Sequence, residues 1–304
     1  WVHNRMDEYK SLLEQTIIRS DVPPEHIKFL LRPLYNLISE MCPQTLFRYR
    51  TCSDLNFDSL LNDKIYFNAP KNFNDPHDCL PYTDSDEEIL ETIFKMPLDE
   101  IVNNLQKATE TVKAGDPLSL ANSDPIVSNI RNSILNQPED IFNPSAPKKE
   151  QIEQIFSFLR LCISQNKNEN KKLLREQTFV ACMSETIDST LMWAHYADYH
   201  KGFALAYEKD ELYKLERTCP ECEKNCFFKN GLFLLSVIYG EDRVDATRYG
   251  RETLSYHLSR ICGLPQKPFC VPDILFNAKF NTYKGTCWEY EREWRLIFTC
   301  LANQ

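Results

Sequence analysis

The sequence predicts an α+β fold, and three observations lead there. Short strand-like runs recur in the second half: "TFVACMS" (178–184), "GFALAYE" (202–208), "LFLLSVIYG" (232–240) and "EWRLIFTC" (293–300). Helical periodicity is concentrated at the start and in a long middle stretch, so helices and strands are interleaved irregularly rather than in βαβ order. The chain has only seven glycines and no G-x-G-x-x-G, G-x-x-x-x-G-K-[ST], H-E-x-x-H or G-x-S-x-G pattern. That argues against a doubly wound dinucleotide-binding sheet and against a P-loop.

Taken in order, residues 6–41 carry two amphipathic patterns, "MDEYKSLLEQTIIRS" and "PEHIKFLLRPLYNLISEM". They are parted by "DVPP", where proline stops one helix and opens the next. Residues 1–44 therefore read as an N-terminal helical segment and 45–304 as a single α+β domain. Within it "LFRYR" predicts a strand over 46–50, a helix starts at Ser53 or Asp54, 64–68 predicts a second strand, and "APKNFNDPHD" a loop. Residues 84–176 are polar and helical, broken by "AGDP" and "FNPSAP", and form a helical insert. A cysteine-containing loop, 216–230, separates the strands at 202–208 and 232–240.

With 304 residues, 42% of them hydrophobic, the chain is long enough to bury a large core. Its net charge of −9, from 44 acidic and 35 basic residues, disfavours broad, non-specific nucleic-acid binding, which depends on clustered Lys and Arg. No apolar run approaches the roughly 20 residues that cross a bilayer, and "WVHNRMDEYK" lacks the apolar stretch of a secretory signal. A cytoplasmic location with no membrane partner is expected. The twelve cysteines are then mostly reduced thiols. Cys219, Cys222 and Cys226, in "CPECEKNC", have zinc-like local spacing but need a distant fourth ligand such as His257, Cys262 or Cys270; otherwise they are loop thiols.

Three stretches have residues suited to chemistry. In "LMWAHYADYHKGFALAY" (191–207), a helix begun at Asp188 or Ser189 places Leu191, His195 and Asp198 on one face with Met192 and Tyr196 beside it. Either His195 and Tyr196 line a cleft, or Met192, Trp193 and Tyr196 pack as core around a hydrogen-bonded His195. The strand "LFRYR" sets Arg48 and Arg50 on the face opposite Phe47 and Tyr49, as a phosphate clamp or as surface charge. In "KGTCWEYEREWRLIF", an extended chain projects Glu289, Glu291 and Glu293 together, beside Trp288 and Trp294. Carboxylates so close raise one another's pKa and suit acid/base work or cation stabilisation, or else they guard a sheet edge.

"LFRYR", "KIYFNAPKNFNDPHD", "ACMSE", "LMWAHYADYHKGFALAY" and "KGTCWEYEREWRLI", in this order over 45–85 and 177–300, resemble the mainly bacterial domain-of-unknown-function family 2971. A second resemblance is to ADP-ribosyltransferase folds. It implies a mixed or antiparallel split sheet around a cleft that takes NAD as substrate. It also implies that Arg50, with Arg48 as second choice, holds the pyrophosphate and that Ser184 positions the nicotinamide ribose. Glu293, paired with Glu291, would stabilise the oxocarbenium-like transition state. Tyr196 would stack on nicotinamide, with His195, Trp193 and Asn74 also at the site. The implied activity is ADP-ribosyl transfer to a protein or nucleic-acid acceptor, or NAD hydrolysis, as in a toxin or anti-phage defence effector. Two alternatives stand beside it. One is a metal-dependent hydrolase or nuclease using Asp75, Asp78 and Glu291 with His77 or His195. The other is a non-enzymatic module sensing a nucleotide or partner.

Overall fold

The computed structural model describes residues 2–75, 78–95, 97–115, 125–138, 141–176, 178–215, 232–261 and 270–299. Helix α2 (Pro24–Met41) follows the second amphipathic pattern, with Pro24 at the first helical position, where its missing N–H has no intrahelical partner to lose, whereas α1 (Val2–Gln15) starts before the first pattern and ends at Gln15, ahead of the double proline expected to stop it. Strand β1 (Thr45–Arg50) comes next, then α3 (Asp54–Leu61), whose first turn is capped by the Ser53 hydroxyl accepting from the Asn56 N–H. The insert comprises α4 (Ser85–Lys95), α5 (Leu98–Lys113), α6 (Pro125–Leu135) and α7 (Lys148–Glu176). The chain then runs through β2 (Thr178–Ser184), α8 (Thr190–Tyr196), β3 (Phe203–Glu208), α9 (Lys209–Leu212), β4 (Leu232–Ser236), β5 (Ile238–Tyr239) and α10 (Thr247–Ile261). It closes with α11 (Phe276–Phe280), β6 (Tyr283–Lys284), a 3-10 turn over Thr286–Glu291, and β7 (Glu293–Thr299).

Five strands form one antiparallel sheet in the order β3-β1-β2-β7-β4, and β5 and β6 pair in parallel beside it. The α+β class is therefore as the sequence predicts, while an open antiparallel sheet does not by itself establish likeness to ADP-ribosyltransferases. The N-terminal helices share one core with the sheet. Tyr9, Leu13, Leu34 and Ile38 cluster with Leu46, Met183, Leu234, Trp294 and Leu296, and the Tyr9 hydroxyl donates to the Ser236 carbonyl at 3.1 Å. The insert has its own core, built on Ile101, Leu105, Ile130, Ile155 and Phe158 and completed by Leu254 of α10. Among the described residues no helix is long and apolar enough to cross a membrane.

Register decides what shares a face. Ala206, Phe47, Ser184 and Glu293 are consecutive partners across four strands. Side chains alternate along a strand, so Tyr49, Cys182 and Arg295 lie on the same face as Glu293. Arg48 and Arg50 lie on the other, with Met183 and Trp294.

Four local expectations change. Residues 64–68 touch the sheet only through a single bridge, Asn68 to Val180, because Pro70 opens a 3-10 turn that leads the chain away. The expected strand at 232–240 is broken at Val237, whose N–H bonds the Glu293 carbonyl at 2.9 Å before the chain moves on to pair with β6. The α8 helix stops at Tyr196, so Asp198 lies beyond it and not on a face with Leu191 and His195. Finally, the chain carrying Glu289 and Glu291 is not extended. It forms the 3-10 turn, and Arg292, at φ 42°, swings into β7. Glu289 is consequently exposed, whereas Glu291 and Glu293 both turn inward.

Candidate functional site

Glu291 and Glu293 converge on a buried charge cluster with Asp78, Lys284 and Arg295, none of them more than 4% exposed. β6 presents Lys284, whose ammonium donates to Glu291 Oε2 at 2.5 Å and to Glu293 Oε2 at 3.1 Å, and lies 3.8 Å from Asp78. Arg295, two residues beyond Glu293 on the same strand face, forks to it through Nε (2.9 Å) and Nη2 (3.0 Å). The same guanidinium forks to Asp78 at 2.9 and 2.6 Å and donates to the Asn281 carbonyl at 2.7 Å. Aromatic faces cover the cations: Trp288 lies 4.9 Å from Lys284 Nζ and Phe73 5.6 Å from the Arg295 guanidinium. Charges buried this deeply persist only when each has partners, since desolvation costs several kcal/mol per ion.

The two glutamates titrate differently. For Glu293, burial pushes the pKa up, but Arg295 and Lys284 outweigh it and hold the carboxylate well below its ordinary range. For Glu291, burial, reinforced by the charge of Glu293, wins over Lys284 and the hydrogen bonds, and the pKa rises to about 7. Burial also opposes the charge on Lys284, yet Glu293, Glu291 and Asp78 together raise its pKa above the usual lysine value. Three carboxylates face two cations, so one proton taken up by Glu291 makes the cluster neutral.

Above Glu291 the cluster meets a half-open aromatic rim. The Tyr196 hydroxyl donates to Glu291 Oε1 at 2.6 Å and accepts from Asn74 Nδ2 at 3.2 Å. Burial and the neighbouring Glu291 raise the Tyr196 pKa, which keeps the hydroxyl a donor. His195 Nδ1 and the Tyr290 hydroxyl are 2.9 Å apart. Trp193 is fixed by an indole N–H bond to the Ile187 carbonyl at 2.7 Å and by the edge of Tyr49, with ring centroids 5.1 Å apart. The rim is held by a strained return of the chain. Asp198, Tyr199 and His200 all have φ between 46° and 68°, a region costly for non-glycine residues. A Cβ on Gly202 would sit 2.1 Å from the Arg50 carbonyl oxygen, so only glycine fits where the return meets β1.

The structure thus brings together Glu291, Glu293, Ser184, Tyr196, Asn74, Trp193 and His195. Their parts differ from those the resemblance implied. Ser184 is wholly buried, with its hydroxyl donating to the Glu291 carbonyl at 2.7 Å, and so fixes the backbone of the turn. Glu293 is enclosed by its two cations, and it is Glu291 that reaches the rim. Arg48 and Arg50 are not at this site: strand alternation sends both to the opposite sheet face. There Arg48 donates to the Tyr66 carbonyl, and Arg50 bonds the Tyr49 carbonyl at 3.4 Å, its pKa lowered by burial.

Cys219, Cys222 and Cys226 lie outside the described residues, as does His77. Asp78 is committed to Arg295, and among the described residues no group of three or more His, Cys, Asp or Glu is placed to hold a metal ion. Lys284 and Arg295 are the members that sequence reasoning left unassigned. For Arg295 a signal existed: Glu-x-Arg in a strand puts the two side chains on one face. For Lys284 there was none, because a 3-10 turn of six residues brings it back to the glutamates.

No curated protein and no solved structure matches the chain. Residues 192–296 match the profile of a family described as "Protein of unknown function (DUF2971)". That stretch begins within α8, ends within β7, and contains Trp193, His195, Tyr196, Lys284, Glu291, Glu293 and Arg295. It is in this part of the chain, which supplies all of the charge cluster but Asp78, that the protein is similar to the DUF2971 family.

Proposed function

We propose that the rim receives a nucleotide and that Glu291 acts on its N-glycosidic bond, making the protein an NAD glycohydrolase or ADP-ribosyltransferase. The observation that carries this reading is the position of Glu291. Among the described residues it alone hydrogen-bonds both the buried cation Lys284 and the rim, through Tyr196, and its pKa of about 7 lets it exchange a proton near neutrality. In the reaction, the bond between ribose C1′ and the nicotinamide nitrogen breaks and its electron pair leaves with neutral nicotinamide. The positive charge developing at C1′ is stabilised by the Glu291 carboxylate, as in glycoside cleavage. Water or an acceptor hydroxyl forms the new bond to C1′ and passes its proton to Glu291. Trp193, Tyr196 and Tyr290 supply faces for stacking. Glu293 holds Lys284 and Arg295 in place and does not touch substrate. No arginine of β1 clamps the pyrophosphate in this reading, which departs from the ADP-ribosyltransferase pattern. Consumption of NAD would suit a toxin or defence effector.

The test is mass spectrometry of the purified protein incubated with NAD. Nicotinamide release is expected, unaffected by EDTA and about 10²- to 10³-fold slower in Glu291→Gln, the usual cost of deleting an electrostatic partner of the transition state. Absence of nicotinamide, or an unchanged rate in a folded Glu291→Gln protein, refutes the reading. A second reading, a nucleotide sensor, is favoured by the fact that both Glu291 oxygens already have partners. It is distinguished by ligand-dependent stabilisation without turnover.

A further inference from the structure

Away from the rim, a cavity of about 380 Å³ opens between α1, the chain entering α10, and the segment carrying α11 and β6. Its floor is buried and largely apolar, with Leu13, Phe276 and Tyr283, and Tyr249 stacks on Phe276 at a centroid distance of 4.6 Å. The acids on its walls are engaged. Glu14 accepts from the Tyr283 hydroxyl, Asp273 from Lys279 at 2.6 Å, and Asp245 from the Thr247 N–H at 2.8 Å. Lys279 also donates to the Thr16 carbonyl at 2.6 Å. The two arginines are different. Among the described residues Arg248 has no hydrogen-bond or ion-pair partner, and Arg243 donates only to the neighbouring Asp242 carbonyl at 3.1 Å.

We propose that this cavity binds a small organic anion. Its apolar or aromatic body lies against Leu13, Phe276 and Tyr249, and its phosphate or carboxylate head meets Arg243 and Arg248. The volume falls in the range of small-molecule sites, which are mostly apolar with a few convergent polar groups. The Arg248 guanidinium, with no partner among the described residues, and that of Arg243, held only by one backbone carbonyl, match a planar or tetrahedral oxyanion better than any neutral group. The site is separate from the rim. Successive residues of β6 point to opposite sides, so Tyr283 lines the cavity while Lys284 enters the charge cluster. The proposal does not rest on the glycosidic reading.

Phenyl phosphate, which joins a ring to an anion, is the probe, with benzoate as the carboxylate counterpart. Calorimetric titration of the full chain at low ionic strength is expected to give saturable binding, with inorganic phosphate at least about tenfold weaker. Arg243→Ala with Arg248→Ala should weaken the probe about tenfold or more, while Glu291→Gln leaves it unchanged. Should the double variant fold poorly, Phe276→Leu serves instead, weakening phenyl phosphate but not inorganic phosphate. Absence of saturable binding, affinity unchanged in the arginine variant, or loss of binding in Glu291→Gln each overturns the proposal. Equal affinity for inorganic phosphate also overturns it, by reducing the site to surface ion attraction.

Discussion

Replacing Arg295 by Met is expected to be among the most damaging single changes in this protein, and the size of the loss follows from the contacts. The guanidinium serves Asp78 and Glu293 at once through four N–O distances between 2.6 and 3.0 Å, and it satisfies the Asn281 carbonyl. Met fills comparable space but leaves two buried carboxylates with Lys284 as their remaining cation, at 3.1 and 3.8 Å. Deleting one partner of a buried pair costs about 3–5 kcal/mol. Two acids are stranded here while Lys284 retains part of the compensation, so a loss of about 5 kcal/mol at pH 7.5 is expected, against a total stability of about 5–15 kcal/mol. The sign of the pH dependence follows from Glu293. Its folded pKa is depressed in the native protein, with Arg295 the largest lowering influence. It therefore contributes stability that is present above the unfolded carboxylate pKa and lost as pH falls below it. Removing Arg295 removes that contribution, so the gap between native protein and variant is widest at neutral pH and narrows towards pH 4. Urea unfolding at pH 7.5 and pH 4 measures it. Arg295→Met combined with Glu293→Gln should recover about 1–2 kcal/mol, because one uncompensated charge is gone. A loss below about 1 kcal/mol at pH 7.5, or a gap that widens on acidification, would show that the cluster does not hold the sheet as argued.

Glu291 has the opposite linkage. Its folded pKa is raised to about 7, so its contribution is fully present below the unfolded pKa and fades as pH rises through 7. Glu291→Gln should flatten the fall in stability between pH 5 and 8, read from denaturant midpoints across that range; an equally steep fall in the variant contradicts the assignment. Tyr196→Phe removes a hydrogen bond that lowers the Glu291 pKa. It should cost about 1–2 kcal/mol and move the Glu291 carboxyl titration, followed by NMR, to higher pH, whereas an unmoved titration would mean that the hydroxyl does not govern Glu291. Gly202→Ala forces a Cβ to 2.1 Å from the Arg50 carbonyl oxygen and should destabilise by about 1–3 kcal/mol; a thermal midpoint equal to that of the native protein would show that the return has room to shift.

Periodicity and turn chemistry in the sequence determined the elements. Alternating apolar runs gave β1, β2, β3 and β7 almost to the residue, the double proline opens α2 although α1 already ends at Gln15, and Ser53 and Ser189 cap the helices expected to begin beside them. These signals are local, set by a few neighbouring side chains and their own backbone. The crowding of Glu291, Tyr196, His195 and Trp193 was legible too, because their residue types stand out where they occur. What only the tertiary structure decided was the company each residue keeps. Strand register put Ser184 beside Glu293 and turned Arg48 and Arg50 to the far face, since a one-residue offset reverses every side chain. The left-handed Arg292 between Glu291 and Glu293 gave two similar acids different surroundings, one locked between Arg295 and Lys284, the other reaching Tyr196. Asp78 and Lys284 are drawn in from more than two hundred residues apart. No local pattern records that pairing, because the energy that fixes it comes from burying opposite charges together once the sheet has formed.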